Sequence, residues 1–203
     1  MALKVAGILL SVTPSEKCNN CAISSTGKQT LRTALTHKKV TKAGVSVAAG
    51  DLDGNGFAEI ITSAGPGGAP QVNVYASRTY GLLSSFLAYA PQFTGGVYVA
   101  VGELTGDTFA EIITGAGSGG GSQVNVFNSQ SLQLLTSFFA YAQGFEGGVR
   151  VGACDFNGDG VDEIITGAGP GGGPHVKVFD FDLTLVDQFF AGDVGFLGGV
   201  FVS

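Results

Sequence analysis

Two nine-residue acidic segments in this chain place oxygen-bearing side chains at alternate positions. The first is Asp51-Leu-Asp53-Gly-Asn55-Gly-Phe57-Ala-Glu59, and the second is Asp155-Phe-Asn157-Gly-Asp159-Gly-Val161-Asp-Glu163. In both, side-chain oxygens fall at positions 1, 3, 5 and 9, and the backbone carbonyl at position 7 (Phe57 or Val161) can join them. Alternate positions of a tight turn can point inward together. Gly56 and Gly160 permit the left-handed backbone that such a turn needs. Each set carries three carboxylates that repel one another unless a cation lies between them. A set of hard oxygens, several of them carboxylate, is what calcium takes, with about 6–8 ligands in all. The metal-ligand candidates are therefore Asp51, Asp53, Asn55, Phe57, Glu59, Asp155, Asn157, Asp159, Val161 and Glu163. These are not EF-hands: Thr62 and Thr166 stand where that loop needs its twelfth-position glutamate, and a strand-like run follows.

A middle copy departs from the pattern. It reads Glu103-Leu-Thr105-Gly-Asp107-Thr108-Phe109-Ala-Glu111. Thr105 is a neutral ligand, Glu103 is one carbon longer, and Thr108 replaces glycine, so weak calcium binding or none is expected there.

These loops sit in a larger repeat. Gly44, Gly96 and Gly148 open units spaced 52 residues apart. Internal periodicity of that order signals a repeat architecture. Each unit contains four strand-like runs separated by turn residues, and none shows sustained helical periodicity. The first runs are Val45–Ala49, Val97–Val101 and Val149–Ala153. The second begin at Glu59, Glu111 and Glu163, and the third at Gln71, Gln123 and His175. The fourth are Leu82–Tyr89, Leu134–Tyr141 and Leu185–Gly192. Four short antiparallel strands per 40–50 or so residues describe a propeller blade. The fold expected is all-β: a β-propeller of four-stranded blades. Small residues in the first strand suit a crowded centre. Phe86, Phe138, Phe189, Phe93, Phe145 and Phe196 recur at matched positions and are expected to pack between blades.

The ends suggest how the ring closes. Shifted by one repeat, Ile8, Ser11 and Pro14 fall over identical residues, and Leu31 and Leu35 fall over Leu83 and Leu87. Residues 1–43 read as a diverged first blade lacking its first strand, and 199–203 as a first strand lacking its blade. The expectation is one domain over 1–203, with repeats at 44–95, 96–147 and 148–198. Residues 199–203 would then pair with the N-terminal blade to close four blades into a monomeric ring, hiding the edges. The competing arrangement is a piece of a longer propeller.

Charge and composition narrow the function classes. Residues 44–203 hold fifteen acidic and three basic residues, while 1–43 hold seven Lys/Arg and one Glu. An acidic body repels nucleic acid and attracts cations. No apolar run reaches the ~18 residues of a membrane helix. The 34 glycines are interrupted by Val, Ile and Phe runs, which fits turns between strands and not disorder. Cys18 and Cys21 have C-x-x-C spacing, but no second pair completes a zinc site. The glycine-rich segments from Gly65, Gly117 and Gly169 lack the Lys-Ser/Thr of a phosphate loop. No nucleophile motif surrounds His37 or His175. No enzyme activity is expected.

At the level of whole motifs, the chain resembles the FG-GAP repeats of integrin α-subunits and bacterial surface proteins, which overlap with VCBS repeats. The resemblance rests on D-x-D-G-N-G-x-x-E-I-I-T from Asp51, D-x-N-G-D-G-x-x-E-I-I-T from Asp155, and the following G-A-G-P-G-G-G-P-H-V-K-V-F-D. It implies a propeller with calcium in the loop joining the first two strands. The ligands it implies are Asp51, Asp53, Asn55 and Glu59, with Asp155, Asn157, Asp159 and Glu163 in the second site. Family members usually carry aspartate at the last ligand position, and integrin propellers have seven blades. The expected role is a calcium-binding structural or adhesive recognition module, extracellular or on the cell surface, with a protein or glycan ligand. The alternative is a carbohydrate-binding propeller.

Overall fold

The computed structural model describes residues 44–203. These form twelve strands, and no helix occurs among them. No helix of the described residues is long and apolar enough to cross a membrane. The strands are β1 Val45–Gly50, β2 Glu59–Ala64, β3 Gln71–Tyr75, β4 Leu82–Leu87, β5 Val97–Gly102, β6 Glu111–Ala116, β7 Gln123–Phe127, β8 Leu134–Phe139, β9 Val149–Cys154, β10 Glu163–Ala168, β11 His175–Phe179 and β12 Leu185–Phe190. They build three four-stranded antiparallel sheets, each in sequence order: β1-β2-β3-β4, β5-β6-β7-β8 and β9-β10-β11-β12. Strand positions agree with the sequence reading. The first strands run one residue further than expected, and the fourth strands stop two short.

The sheets stack as blades, and the apolar core lies between them. One cluster joins Leu52, Ile61, Val72, Val74 and Ala88 of the first blade to Val97, Val99, Ile112 and Phe127 of the second. The other joins Ala100, Leu104, Ile113, Val124, Val126 and Ala140 of the second blade to Val149, Val151, Ile164 and Phe179 of the third. Successive residues of a strand point to opposite faces. Ile112 therefore serves one interface and Ile113 the other, and β6 is buried along its whole length. This explains the paired isoleucines of the E-I-I-T motif: a strand covered on both faces has no polar side to alternate with.

The recurrent aromatics fill these interfaces. Phe86 meets Phe127 of the next blade with ring centroids 4.9 Å apart, and Phe138 meets Phe179 at 5.1 Å. Phe93 and Phe145 lie on Gly120 and Gly172 of the following blade. A Cβ at Gly120 would come within 2.8 Å of the Phe93 ring, so the glycine-rich hairpins are small where a neighbouring ring crosses them. Phe189 and Phe196, at the matching places in the third blade, are exposed.

Two tyrosines lock blade to blade. Tyr89 Oη lies 3.1 Å from the carbonyl oxygen of Thr114 and 3.0 Å from that of Gln123. Tyr141 Oη lies 3.0 and 2.8 Å from those of Thr166 and His175. Burial raises both phenol pKa values above the ordinary one.

Residues 199–203 lie against the third blade as β5 and β9 lie against the first and second. Val200 N donates to Ala168 O at 3.0 Å, and Gly199 has φ +76°, close to +88° at Gly96 and +79° at Gly148. The segment takes the place of the next innermost strand without forming a ladder among the described residues. Its expected pairing partner, and the diverged first blade at 1–43, lie outside the described residues.

Replacing Tyr141 by phenylalanine removes the donor shared by Thr166 O and His175 O while keeping the ring. The expected cost is about 1–3 kcal/mol in denaturant unfolding. An unchanged midpoint would show that this cross-blade bond contributes nothing to stacking.

Candidate metal centre

The acidic segments are the β1–β2, β5–β6 and β9–β10 connections, so blade stacking brings them together at one end of the array. Each is held open by its own first residue. Asp51 Oδ1 accepts from the amides of Gly54 (2.8 Å) and Asn55 (3.1 Å), and Oδ2 accepts from Gly56 (2.7 Å). Asp155 repeats this with Gly158, Asp159 and Gly160 at 2.6, 3.1 and 3.1 Å. Carboxylate–amide bonds of this kind are charge-assisted and stronger than neutral ones. Asp53, Asn55, Asn157 and Asp159 each turn one oxygen onto the amide two residues ahead. These are Asx turns. Phe57 and Val161 enter as the amide donors to Asn55 and Asp159.

The last residue of each loop does two jobs. Glu59 Oε2 accepts from Leu52 N at 3.1 Å, Glu111 Oε2 from Leu104 N at 2.9 Å, and Glu163 Oε2 from Phe156 N at 2.6 Å. One carboxylate oxygen thus pins the start of the loop to the buried start of the second strand. The other oxygen, Oε1, is not taken by that amide.

In the first loop, carboxylate oxygens of Asp51, Asp53 and Glu59 lie within 4.8 Å of one another. Oxygen ligands about 2.3–2.6 Å from a calcium ion are separated by no more than roughly twice that distance. The donor set therefore fits a hard divalent cation. No other three carboxylates converge as closely among the described residues. The third loop solves the same problem differently. Asn157 Nδ2 donates to Asp159 Oδ2 at 2.9 Å and to Glu163 Oε1 at 2.5 Å. The amide itself bridges the carboxylates, and ligation by Asn157 requires it to present its oxygen instead.

The middle loop keeps the shape despite its substitutions. Glu103 Oε1 takes the amides of Thr105, Gly106 and Asp107 at 3.1, 2.6 and 3.1 Å. Its extra carbon moves the capping one residue earlier than in the other loops. Thr108 adopts φ +75°, the left-handed conformation that Gly56 and Gly160 hold at +84° and +94°. Replacing that glycine therefore does not unmake the turn. Glu111 is fully buried, and its Oε1 has no hydrogen-bond partner. Burial first, then the charges of Asp107 and Glu103, push its pKa up to about 7 against the pull of the Leu104 amide. Burial likewise raises the pKa of Glu163 and of Asp162.

Several contacts were not foreseen from sequence. Asp51 O accepts from Ala110 N at 3.4 Å, and Glu103 O from Asp162 N at 2.7 Å, so each loop is bonded to the next. Asp162 Oδ2 also accepts from Glu103 N at 3.0 Å. Its aspartate replaces Ala58 and Ala110 of the other repeats, a difference that was visible in the alignment. Ser129 Oγ and Gln130 Nε2, from the β7–β8 turn, donate to Leu52 O at 3.1 and 2.6 Å. Arg78 lies over the Phe57 ring, 3.8 Å from its centroid.

Stacked four-stranded blades with acidic loops between their first two strands define a propeller-type repeat protein. The FG-GAP repeat family matches residues 43–81 and 147–178, the segments containing the first and third loops. The chain therefore contains two segments that match the FG-GAP repeat, and it is similar to integrin α propeller repeats. It is 35% identical to chicken (Gallus gallus) integrin alpha-8 over 75 residues, which are 36% of this chain and 7% of that protein. Among solved structures, it resembles a rhamnogalacturonan lyase of Bacillus licheniformis at TM-score 0.58 and 16% identity, covering 75% of this chain and 35% of the lyase. The exotype rhamnogalacturonan lyase YesX gives TM-score 0.54 and 18% identity, covering 77% of this chain and 36% of that one. At such identities the likeness is one of fold, and the chain spans about a third of each lyase.

Glu111 sets the sign of a pH dependence. In the unfolded chain its carboxyl ionises near the ordinary value of 4.5, whereas in the fold it holds its proton up to about 7. Between those values the folded state binds more protons, so stability falls as pH rises through this window. Asp162 and Glu163 act in the same direction. Melting temperature measured from pH 4.5 to 7 in EDTA should fall, and Glu111→Gln should fall less steeply. Parallel curves would show that Glu111 does not carry the raised pKa.

Proposed function

We propose that this chain is a calcium-binding propeller module with a structural and recognition role and no catalytic one, working outside the cell or at its surface. The observation that carries the reading is the convergence of the Asp51, Asp53 and Glu59 oxygens. The FG-GAP matches over the first and third loops support it. Asp51, Asp53, Asn55, Glu59 and the Phe57 carbonyl would hold the ion in the first loop. Asp155, Asn157, Asp159, Glu163 and the Val161 carbonyl are the corresponding third-loop set. A bound divalent cation would supply the positive charge that three adjacent carboxylates otherwise lack.

The chain's own residues do the rest. Asp51 and Asp155 organise the loop amides, and Glu59 and Glu163 anchor the loops to β2 and β10. The bonds from loop to loop pass order from blade to blade. Stiff loops at one end of the array make a stable platform for a partner. The first loop is the stronger site in this reading, because Asn157 Nδ2 already neutralises part of the third.

Asp53→Asn is the sharpest probe. It keeps the Asx-turn oxygen and removes one ligand charge, whereas Asp51→Ala would also remove three amide caps. Millimolar calcium should raise the melting temperature of the intact chain, by an amount equivalent to roughly 2.7 kcal/mol at about 100 times the dissociation constant. Asp53→Asn should lose most of that rise, and Asp159→Asn a smaller part. No rise in the intact chain at millimolar calcium would end this reading of the loops.

A further inference from the structure

Along the inner strands, open on one side, runs a second and chemically different feature. Between β1, β5, β9 and residues 201–203 lies an axial cavity of about 1390 Å³. Its walls are mostly Val, Ala and Gly side chains of the inner strands. Equivalent positions near the start of each inner segment carry Ser46, Tyr98, Arg150 and Phe201, and all but the first are large. Arg150 lies opposite Gly167 in the β9–β10 ladder, at the glycine-hairpin end and away from the acidic loops.

Among the described residues, Arg150 is a buried cation without a counter-ion. It is 6% exposed, in a body of fifteen acidic and three basic residues, yet no carboxylate pairs with it among the described residues. Nη1 donates to Ala168 O at 2.9 Å, while Nε is buried with no partner. The Phe201 ring lies over the guanidinium at 4.1 Å and Tyr98 lies beside it at 5.6 Å, distances at which aromatic faces attract a cation. These contacts hold the group in place, but they leave its charge and its Nε–H unmatched. A guanidinium so placed is most strongly satisfied by a carboxylate accepting two of its N–H groups. Phe201, whose ring lies over the guanidinium, is itself 75% exposed.

We propose that this cavity takes one carboxylate side chain, flanked by aliphatic residues, of a peptide segment on a partner protein, with Arg150 as its anchor. The walls decide for a peptide over a sugar. Apart from Arg150, among the described residues only Ser46, Tyr98 and Ser203 bring polar side chains to the lining, and Ser46 Oγ already accepts from Val99 N at 3.3 Å. Such a lining suits a carboxylate flanked by aliphatic residues and leaves most sugar hydroxyls without partners. The acidic body repels polyanions, so a single Asp or Glu is favoured over an acidic run. This names the partner chemistry of the recognition role proposed above and rests on that role for its biological sense. Its chemistry is independent of the acidic loops.

The test uses the full chain and two capped peptides, Val-Asp-Val and its Val-Asn-Val isostere, with titrations followed by calorimetry and by backbone amide signals. The expected result is binding of the aspartate peptide, with signal changes at Tyr98, Arg150 and Phe201. The asparagine peptide should bind at least tenfold more weakly. Arg150→Met should lose binding, and Arg150→Lys should weaken it severalfold by losing the planar fork; the latter carries the test if the methionine variant does not melt cooperatively. Equal affinity for the two peptides, affinity unchanged in both Arg150 variants, no aspartate-peptide binding at millimolar concentration, or binding of glucuronate in its place would each overturn the proposal. Titrations in calcium and in EDTA separate it from the loop reading: peptide binding in a chain that calcium does not stabilise leaves this site standing and removes the other.

Discussion

Everything in this molecule depends on blade faces burying one another, the middle blade on both of its faces. A lone four-stranded sheet of this composition would leave Ile112 or Ile113 in water. Stacking removes both, at about 25 cal/mol for each Å² of apolar surface covered. Stacking needs close approach, and close approach explains the small residues. A Cβ at Gly102 would sit 2.5 Å from that of Ala153, and one at Gly115 would collide with Val149 O. These glycines, far from loosening the chain, are points of tight contact between blades.

The same stacking places the acidic loops. A β1–β2 connection in an isolated hairpin would be free to splay under its own charge. Here Leu52 and Leu104 are buried within the interfaces, and the position-9 glutamates are buried at the strand starts. Each loop is thus nailed down at its second and ninth residues while its carboxylates stay grouped. Like charges held together in this way favour protonation or a cation. The three loops show three responses: Asp51, Asp53 and Glu59 gather oxygens, Glu111 is pushed towards holding a proton, and Asn157 inserts an amide N–H₂ between carboxylates. One backbone shape tolerates all three because the loop amides hold its first residue.

The fold was legible in the sequence because its signals were periodic. The 52-residue interval, the turn residues and the period-2 runs reinforced one another in every repeat, and the strands fall where they pointed. The oxygen pattern of the loops was legible for the same reason. Contacts made once were not. Asp162 pairing with Glu103 N, or Gln130 reaching Leu52 O, joins residues 59 and 78 positions apart, and only stacking reveals such pairs. The double role of Glu59 was also hidden, since a ligand pattern does not say which oxygen is already taken by an amide. Thr108 shows the converse: local preference argued against the left-handed turn, and the surrounding amide bonds to Glu103 impose it.

The two ends of the array differ in how they treat charge, and the difference follows from blade geometry. At the loop end, turns are long enough to curl back, so carboxylates can be met by backbone amides and remain near the surface. At the hairpin end, the described residues bring no carboxylate to the cation on the inner strand. A long cation entering there has the carbonyl of Ala168 and the faces of aromatic rings as its surroundings. Repeat symmetry gives no reason for the arginine, since the matching residues are Ser46 and Tyr98. A residue that breaks the repeat, sits in the shared central space and retains an unmatched donor is where this array departs from being purely a scaffold.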